Sequence, residues 1–250
     1  MHNSPCLNCN SPLQDNYCAH CGQKASTHRL SMKHFFVHDL VHGIWHLDKG
    51  IIYTLRGAVL APGKVAKAYI SGKRVGHYNV ITLLLMLFAV TFYLQHHLGH
   101  TNLYLEVRDR YGAVKQYPAS IGVKSIVFSF VPIFALSAWM YFKRVRYNYT
   151  EHLVAATFTL IGVLVIQLVL NLLDWTVTQN FISAYNIDWC LYGIFVCFSY
   201  YHLLGSAYSK GGFLGRILLT ISTFIIIWLF IMLSIYKAFN LSSFAFVSVA

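Results

Sequence analysis

Residues Ile217–Tyr236 read ILLTISTFIIIWLFIMLSIY, twenty consecutive positions without a charged side chain. A helix of that length covers about 30 Å, the thickness of a bilayer's hydrocarbon core. It is apolar on every face, so it has no side to turn toward water and belongs in lipid. Working back toward the N-terminus, four more apolar blocks precede it. Val80–Tyr93 is short and draws on Asn79, Leu94 and Gln95 to approach spanning length, and Ile121–Phe142 carries Pro132 inside it. His152–Leu173 and Ile187–Leu204 complete the set. The expected fold is therefore an all-α membrane domain of about five transmembrane helices.

Composition agrees. Hydrophobic residues make up 57% of the chain and charged residues 11%, against about a quarter charged in a soluble domain. The apolar residues are grouped and the charges lie between the groups, which excludes one large soluble core. The net charge of +11 does not require nucleic acid, because the basic residues flank hydrophobic segments. Anionic lipid head groups and the retention of positive loops on the cytoplasmic side account for them. The first residues, MHNSPCLNCN, lack the charged start and apolar stretch of a signal peptide, so the first span is expected to direct insertion.

Counting Lys and Arg sets the expected orientation. Nine precede the first span, three follow the second (Lys143, Arg144, Arg146) and two follow the fourth (Lys210, Arg216). The other side has four in a longer loop (Arg108, Arg110, Lys115, Lys124) and Lys237 after the fifth span. A cytoplasmic N-terminus and an external C-terminus in the inner membrane follow. The loop at 96–120 alternates as a small external hairpin turning at Gly112.

Three regions result: a ribbon at 1–26, an amphipathic and basic juxtamembrane region at 27–78, and the five-span domain at 79–250. In the first, Cys6-Leu-Asn-Cys9 and Cys18-Ala-His-Cys21 are two C-x-x-C knuckles with eight residues between them. Four thiolates at about 2.3 Å suit a structural tetrahedral zinc, with no position left open for a substrate. An iron–sulfur cluster and redox dithiols are the alternatives. Gly22 and Asn10 stand after the second cysteine of each knuckle, where positive φ is common. A module this small needs the metal to fold. Cys190 and Cys197 lie in an apolar block and build no disulfide framework.

His34, His38, His42 and His46 recur every four residues in HFFVHDLVHGIWH, forming one stripe on a helix. Phe35, Phe36, Leu40, Val41, Ile44, Trp45 and Leu47 wrap around it broadly, which favours an interfacial amphipathic helix. A second metal site or a pH sensor is the competing reading. With His96, His97 and His100 the stripe is similar to the histidine boxes of membrane di-iron enzymes, but the charge count puts the two groups on opposite faces.

Ala61–Gly72 reads as a short helix with Pro62 in its first turn and Gly72 as its stop. Lys64, Lys67, Lys73 and Arg74 are expected to contact lipid phosphates or simply to hold the first span's end inside. Glu151 and His152 open the third span, and His202 comes near them if the third and fourth spans pack together. They are the candidate polar membrane site, although Glu151 also suits a helix start.

The chain resembles a bacterial family of membrane proteins known as a domain of unknown function, number thirty-six sixty-seven. The resemblance rests on Tyr17-Cys18-Ala19-His20-Cys21-Gly22-Gln23, Asp48-Lys49-Gly50, Thr54-Leu55, Pro62-Gly63, Gly72-Lys73-Arg74 and Glu151-His152-Leu153. The family's aromatic-plus-proline segment after Gly-Lys-Arg is replaced by His77-Tyr78-Asn79-Val80. Membership implies architecture and no particular chemistry. The five-span, N-inside plan also resembles the Yip membrane-trafficking adaptors in topology. The expected role is a membrane-anchored adaptor, its ribbon binding a cytosolic protein and its spans sitting among anionic lipids. An oligomeric transporter or channel, or a lipid-acting metalloenzyme using the histidine stripe, are the other readings.

Overall fold

The computed structural model describes residues 5–27, 30, 50–97, 103–109, 114–118, 120–173, 176, 187–238 and 241–248. Seven α-helices lie among them: α1 (Gly50–Leu60), α2 (Pro62–Ile70), α3 (Val80–His97), α4 (Ser120–Tyr141), α5 (Tyr149–Leu173), α6 (Ile187–Leu204) and α7 (Lys210–Ala238). Three strands, β1 (Leu103–Asp109), β2 (Val114–Pro118) and β3 (Leu241–Ser248), form one sheet. Among the described residues, three helices are long and apolar enough to cross a membrane: Tyr149–Leu173, Trp189–Ala207 and Lys210–Ile231. The two earlier apolar blocks are helices of 18 and 22 residues, α3 and α4.

The helix α5 is the axis of the bundle. Every residue from Thr150 to Gly162 is buried, and α1, α2, α3, α4 and α6 all pack on it. Its start is set by a reciprocal cap: Asn148 Oδ1 accepts from the Glu151 N–H at 2.8 Å, and Glu151 Oε2 accepts from the Asn148 N–H at 2.8 Å. Asn79 caps α3 in the same manner, its Oδ1 accepting from the N–H groups of Ile81 and Thr82. The hydroxyls of Thr157 and Thr159 return to carbonyls four residues back. Thr159 also meets the Ser199 hydroxyl of α6 at 2.7 Å. At the periphery, α7 turns Ile226, Phe230 and Leu233 outward, with Phe230 70% exposed. Large apolar side chains facing out along a long helix fit a lipid-facing surface.

The short helices α1 and α2 form a hairpin that fills the flank of this axis. The expected helix at 61–72 is present as α2, with Pro62 at its start and Lys64 and Lys67 exposed on one face. Pro62, Gly63, Ala66, Tyr69 and Ile70 are buried against α5 and α6. The physical reason is close backbone approach at two glycines. A Cβ on Gly63 would stand 2.1 Å from the Ser199 carbonyl oxygen and 2.7 Å from the Leu203 nitrogen. On Gly162 it would stand 2.5 Å from the Ala58 carbonyl oxygen. In lipid there is little hydrophobic drive between helices, so such small-residue contacts carry their association. The hairpin's return is tied where Thr54 Oγ1 accepts the Tyr78 N–H at 2.8 Å. His77 packs beside it among Tyr53, Tyr69 and Phe158, and burial lowers its pKa below the usual value.

Two sets of connections mark the ends of the bundle. At one end, the Arg144 guanidinium donates to the Ala207 carbonyl at 2.9 Å and its N–H to the Tyr208 hydroxyl. The Asn148 amide donates to the Leu30 carbonyl. The connections before α3, between α4 and α5, and between α6 and α7 therefore meet there. At the other end is the sheet, in order β2-β1-β3. The expected hairpin is formed by β1 and β2, antiparallel, with Tyr104 opposite Pro118 and Arg108 opposite Val114. The strand the sequence reading did not anticipate is β3, which pairs antiparallel with β1. LSSFAFVS is a short alternating run after a long helix, and only the distant edge of β1 makes it a strand.

Gly63→Ala is expected to lower the thermal midpoint of the detergent-solubilised protein by a cost of about 1–3 kcal/mol, as overpacking against backbone does. Gly193→Ala, where an added methyl meets nothing within 4 Å, leaves it unchanged. For His77, the unfolded chain binds the proton more readily than the folded one. Stability is therefore full above the ordinary histidine pKa of about 6.5 and falls as the pH drops below it. Thermal midpoints at pH 7.5 and 5.5 check this, and His77→Phe should narrow the difference between them.

Candidate metal centre

The ribbon is two copies of one knuckle. Pro5 bridges to Pro12 and Tyr17 to Lys24. Inside each bridge the same backbone bonds recur: Cys6 N–H to Ser11 and Asn10 N–H to Cys6, then Cys18 N–H to Gln23 and Gly22 N–H to Cys18. Asn10 has φ 61° and Gly22 φ 76°, the left-handed turns that the sequence pattern anticipates. These turns fold each Cys-x-x-Cys back so that both sulfurs face the other knuckle.

The four Sγ atoms of Cys6, Cys9, Cys18 and Cys21 all lie within 4.8 Å of one another. Cys6 and Cys21 are 3.6 Å apart, and Cys9 and Cys18 3.5 Å. A tetrahedron with 2.3 Å metal–sulfur bonds has edges of about 3.8 Å, so the set fits one thiolate-bound ion. The thiols do not behave alike. Hydrogen bonds from Ser11 hold Cys9 down at about 5. Cys21 is pushed up to about 11: the Gln23 amide pulls it down, but burial and the neighbouring Cys9 and Cys6 sulfurs outweigh that. Four sulfurs this close cannot all ionise unless a cation sits between them, which is the condition a metal satisfies. The geometry is compatible with metal binding and does not identify the metal.

The ribbon stands on the membrane bundle. Gly72 has φ 98°, and a Cβ there would come 2.8 Å from Leu7 Cδ1, so the first knuckle rests on the turn after α2. The second knuckle holds the same turn, where Gln23 Oε1 accepts the Arg74 N–H at 3.2 Å. Beside this contact a cleft of about 400 Å³ opens between ribbon, α2 and the α4–α5 connection. Leu7, Ile70 and Val145 supply apolar wall, and Lys67, Arg146, Tyr147 and Glu151 supply polar groups. Burial, with the Glu151 charge behind it, raises the Tyr147 phenol above its usual pKa, so it remains a neutral donor.

The other expected residues fall as follows. Lys64 and Lys73 are exposed, while the Arg74 guanidinium lies 5.5 Å from the centre of the Tyr69 ring. Glu151 caps α5. His152 is fully buried, stacked edge-on to Tyr147 at 6.0 Å, and neither ring nitrogen has a hydrogen-bond partner among the described residues. His202 packs instead on Phe198 at 4.5 Å. The helices α5 and α6 run antiparallel with Thr159 beside Ser199. Seven residues on one and three on the other separate the imidazoles by about 6 Å along the axis, so the structure does not join them into one site. His34, His38, His42 and His46 lie outside the described residues, as does His100, and the His96 and His97 side chains are likewise not described.

Residues 48–92 match the family model described as Protein of unknown function (DUF3667). The matched segment takes in α1, α2 and the first turns of α3, the hairpin and the helix that follows it. No curated protein and no solved structure matches the chain. Of the docking residues of the ribbon, Leu7 carried no signal in the sequence, while Gln23 closed the Tyr17–Gln23 motif with no contact foreseen for it. Gly72 carried one, as the first residue of the Gly-Lys-Arg stretch that meets the ribbon.

Gly22→Ala is expected to weaken metal binding, probed with zinc, roughly tenfold, because the left-handed turn costs about 1–2 kcal/mol with a Cβ present. Competition with a zinc-sensitive dye measures it. Cys18→Ser is expected to abolish binding while the spans still insert.

Proposed function

We propose that the chain is a five-crossing inner-membrane protein with its N-terminus in the cytoplasm, holding a structural zinc ribbon as a fixed platform for a cytosolic protein. The observation that carries this reading is the ribbon's attachment. Leu7 and Gln23 bind it to the Gly72–Arg74 turn, while Tyr17, 60% exposed, and His20 of the second knuckle stay exposed. A platform held still presents its surface without the ordering cost a tethered one would incur on binding.

Strand pairing supports five crossings over three. Four helices separate β2 from β3, yet β3 lies beside β1. Strands in one sheet lie on one side of the membrane, so an even number of crossings must separate them. Crossing by α5, α6 and α7 alone would put them on opposite sides, and α4 supplies the fourth pass. The 18 residues of α3 supply the fifth. The cytoplasmic assignment rests on a count of charge along the chain: nine basic residues precede α3, and Arg144, Arg146 and Lys210 lie in the connections on the same side.

Reporter fusions at each terminus test the topology, with the N-terminal fusion active only inside and the C-terminal one only outside. Metal content per chain tests the role. One zinc in both the wild type and the His38→Ala/His42→Ala double variant is expected. A second metal lost in the variant would overturn the scaffold reading in favour of a membrane metalloenzyme.

A further inference from the structure

The ring of Tyr208, in the connection before α7, is shared by two cations. The Arg216 guanidinium lies 4.5 Å from its centre and that of Arg144 5.5 Å. Tying the loops together uses one of them: Arg144 donates from its guanidinium to the Ala207 carbonyl and from its N–H to the Tyr208 hydroxyl. Arg216 is not needed for that tie, since its hydrogen bond returns to the Gly212 carbonyl of its own helix at 2.8 Å. All of these acceptors are neutral, and among the described residues neither guanidinium pairs with a carboxylate. Two like charges gathered on one ring repel each other, and both guanidiniums have more donors than these bonds use.

The surrounding side chains mark the edge of a membrane. Trp139 and Tyr201 are 37% and 46% exposed, and Lys143 lies 3.5 Å over the Trp139 ring, as aromatic and basic side chains do at head-group level. Arg216 itself is in the second turn of α7. Leu219, Ile226 and Phe230 follow it on one side of the helix, and all three are exposed, by 50%, 65% and 70%. The rise from Arg216 to Ile226 is about 15 Å, half the hydrocarbon thickness of a bilayer. The cations and the apolar stripe therefore have the spacing of a head group and an acyl chain in one leaflet.

We propose that Arg144, Arg216 and Tyr208 seat a phospholipid of net negative charge, its phosphate on the two guanidiniums and one acyl chain along Leu219, Ile226 and Phe230. Guanidiniums match phosphate oxygens in geometry as well as charge. With no carboxylate partner among the described residues, the site offers nothing to the ammonium of a zwitterionic head group. Retention of positive loops on one side of a membrane concerns only their number, and a shared place on one ring is a further condition. The proposal rests on α7 lying in lipid and not on the ribbon recruiting a protein, so the reporter fusions and the lipid measurement fail separately.

The test is native mass spectrometry of the full chain in a mild detergent, after incubation with equal amounts of phosphatidylglycerol and phosphatidylcholine of identical acyl chains. Wild type is expected to retain one phosphatidylglycerol in preference to phosphatidylcholine, a result that needs no variant. Arg216→Gln should lower that retention roughly tenfold, the worth of one charge-assisted hydrogen bond. Lys64→Gln, which removes an exposed cation on α2, should not change it. Thermal midpoints separate folding from binding: Arg216→Gln should keep the lipid-free midpoint and lose the rise that phosphatidylglycerol gives the wild type. Equal retention of the two lipids by wild type overturns the proposal. So does equal loss in Lys64→Gln and Arg216→Gln, which is an effect of charge count alone. Release of the bound lipid by an equal concentration of glycerol 3-phosphate also overturns it, because the apolar stripe would then contribute nothing.

Discussion

The bundle depends on backbone meeting backbone at Gly63 and Gly162. Lipid tails are as apolar as leucine, so the hydrophobic effect that drives helices together in water contributes little inside a bilayer. What remains is dispersion, which falls off steeply with separation. With side chains larger than hydrogen at these positions, α2 could not reach α6 and the end of α1 could not reach α5. The first half of α5 would then lose one wall, exposing Thr157, Thr159 and His152, which are all now buried. The hairpin thus helps to keep these polar groups of α5 covered.

From that contact the ribbon's position follows. The hairpin returns through α2 to Gly72, whose left-handed turn leaves room for Leu7. Gln23 then satisfies the Arg74 amide. A metal that folds the two knuckles therefore acts at a distance of one contact from the membrane domain. The same turn forms a wall of the cleft, so ribbon, hairpin and cleft share residues instead of being separate modules joined by a linker.

The sequence was legible where one physical requirement dominates a stretch. Long uncharged runs mark α5, α6 and α7 with little error, because bilayer thickness and helix rise leave few alternatives. Asn10 and Gly22 were readable as left-handed turns because knuckle chemistry demands them. What escaped was everything decided by a distant partner. Residues 50–60 are too short to span and too apolar for a loop, and only the buried flank of α5 explains them as α1. In β3, an eight-residue tail becomes a strand because β1 offers an edge more than a hundred residues earlier in the chain. His152 and His202 looked like partners by position on their helices, and the Thr159–Ser199 register keeps them apart.

Charge shows the same division between what a count requires and what a place requires. Topology depends on how many Lys and Arg lie on each side, and for that purpose Lys210 and Arg146 are interchangeable. Geometry does not treat them alike. Lys210 is exposed at the start of α7, Arg144 is used to tie two loops together, and Lys143 lies 3.5 Å over the Trp139 ring. Arg146 alone among these is held in a left-handed turn at the edge of a cleft. A requirement for positive charge on one face would be met by any of them without strain. Arg146 closes the turn after α4, its N–H donating to the Lys143 carbonyl at 3.1 Å, so its place in the chain is used as well as its charge.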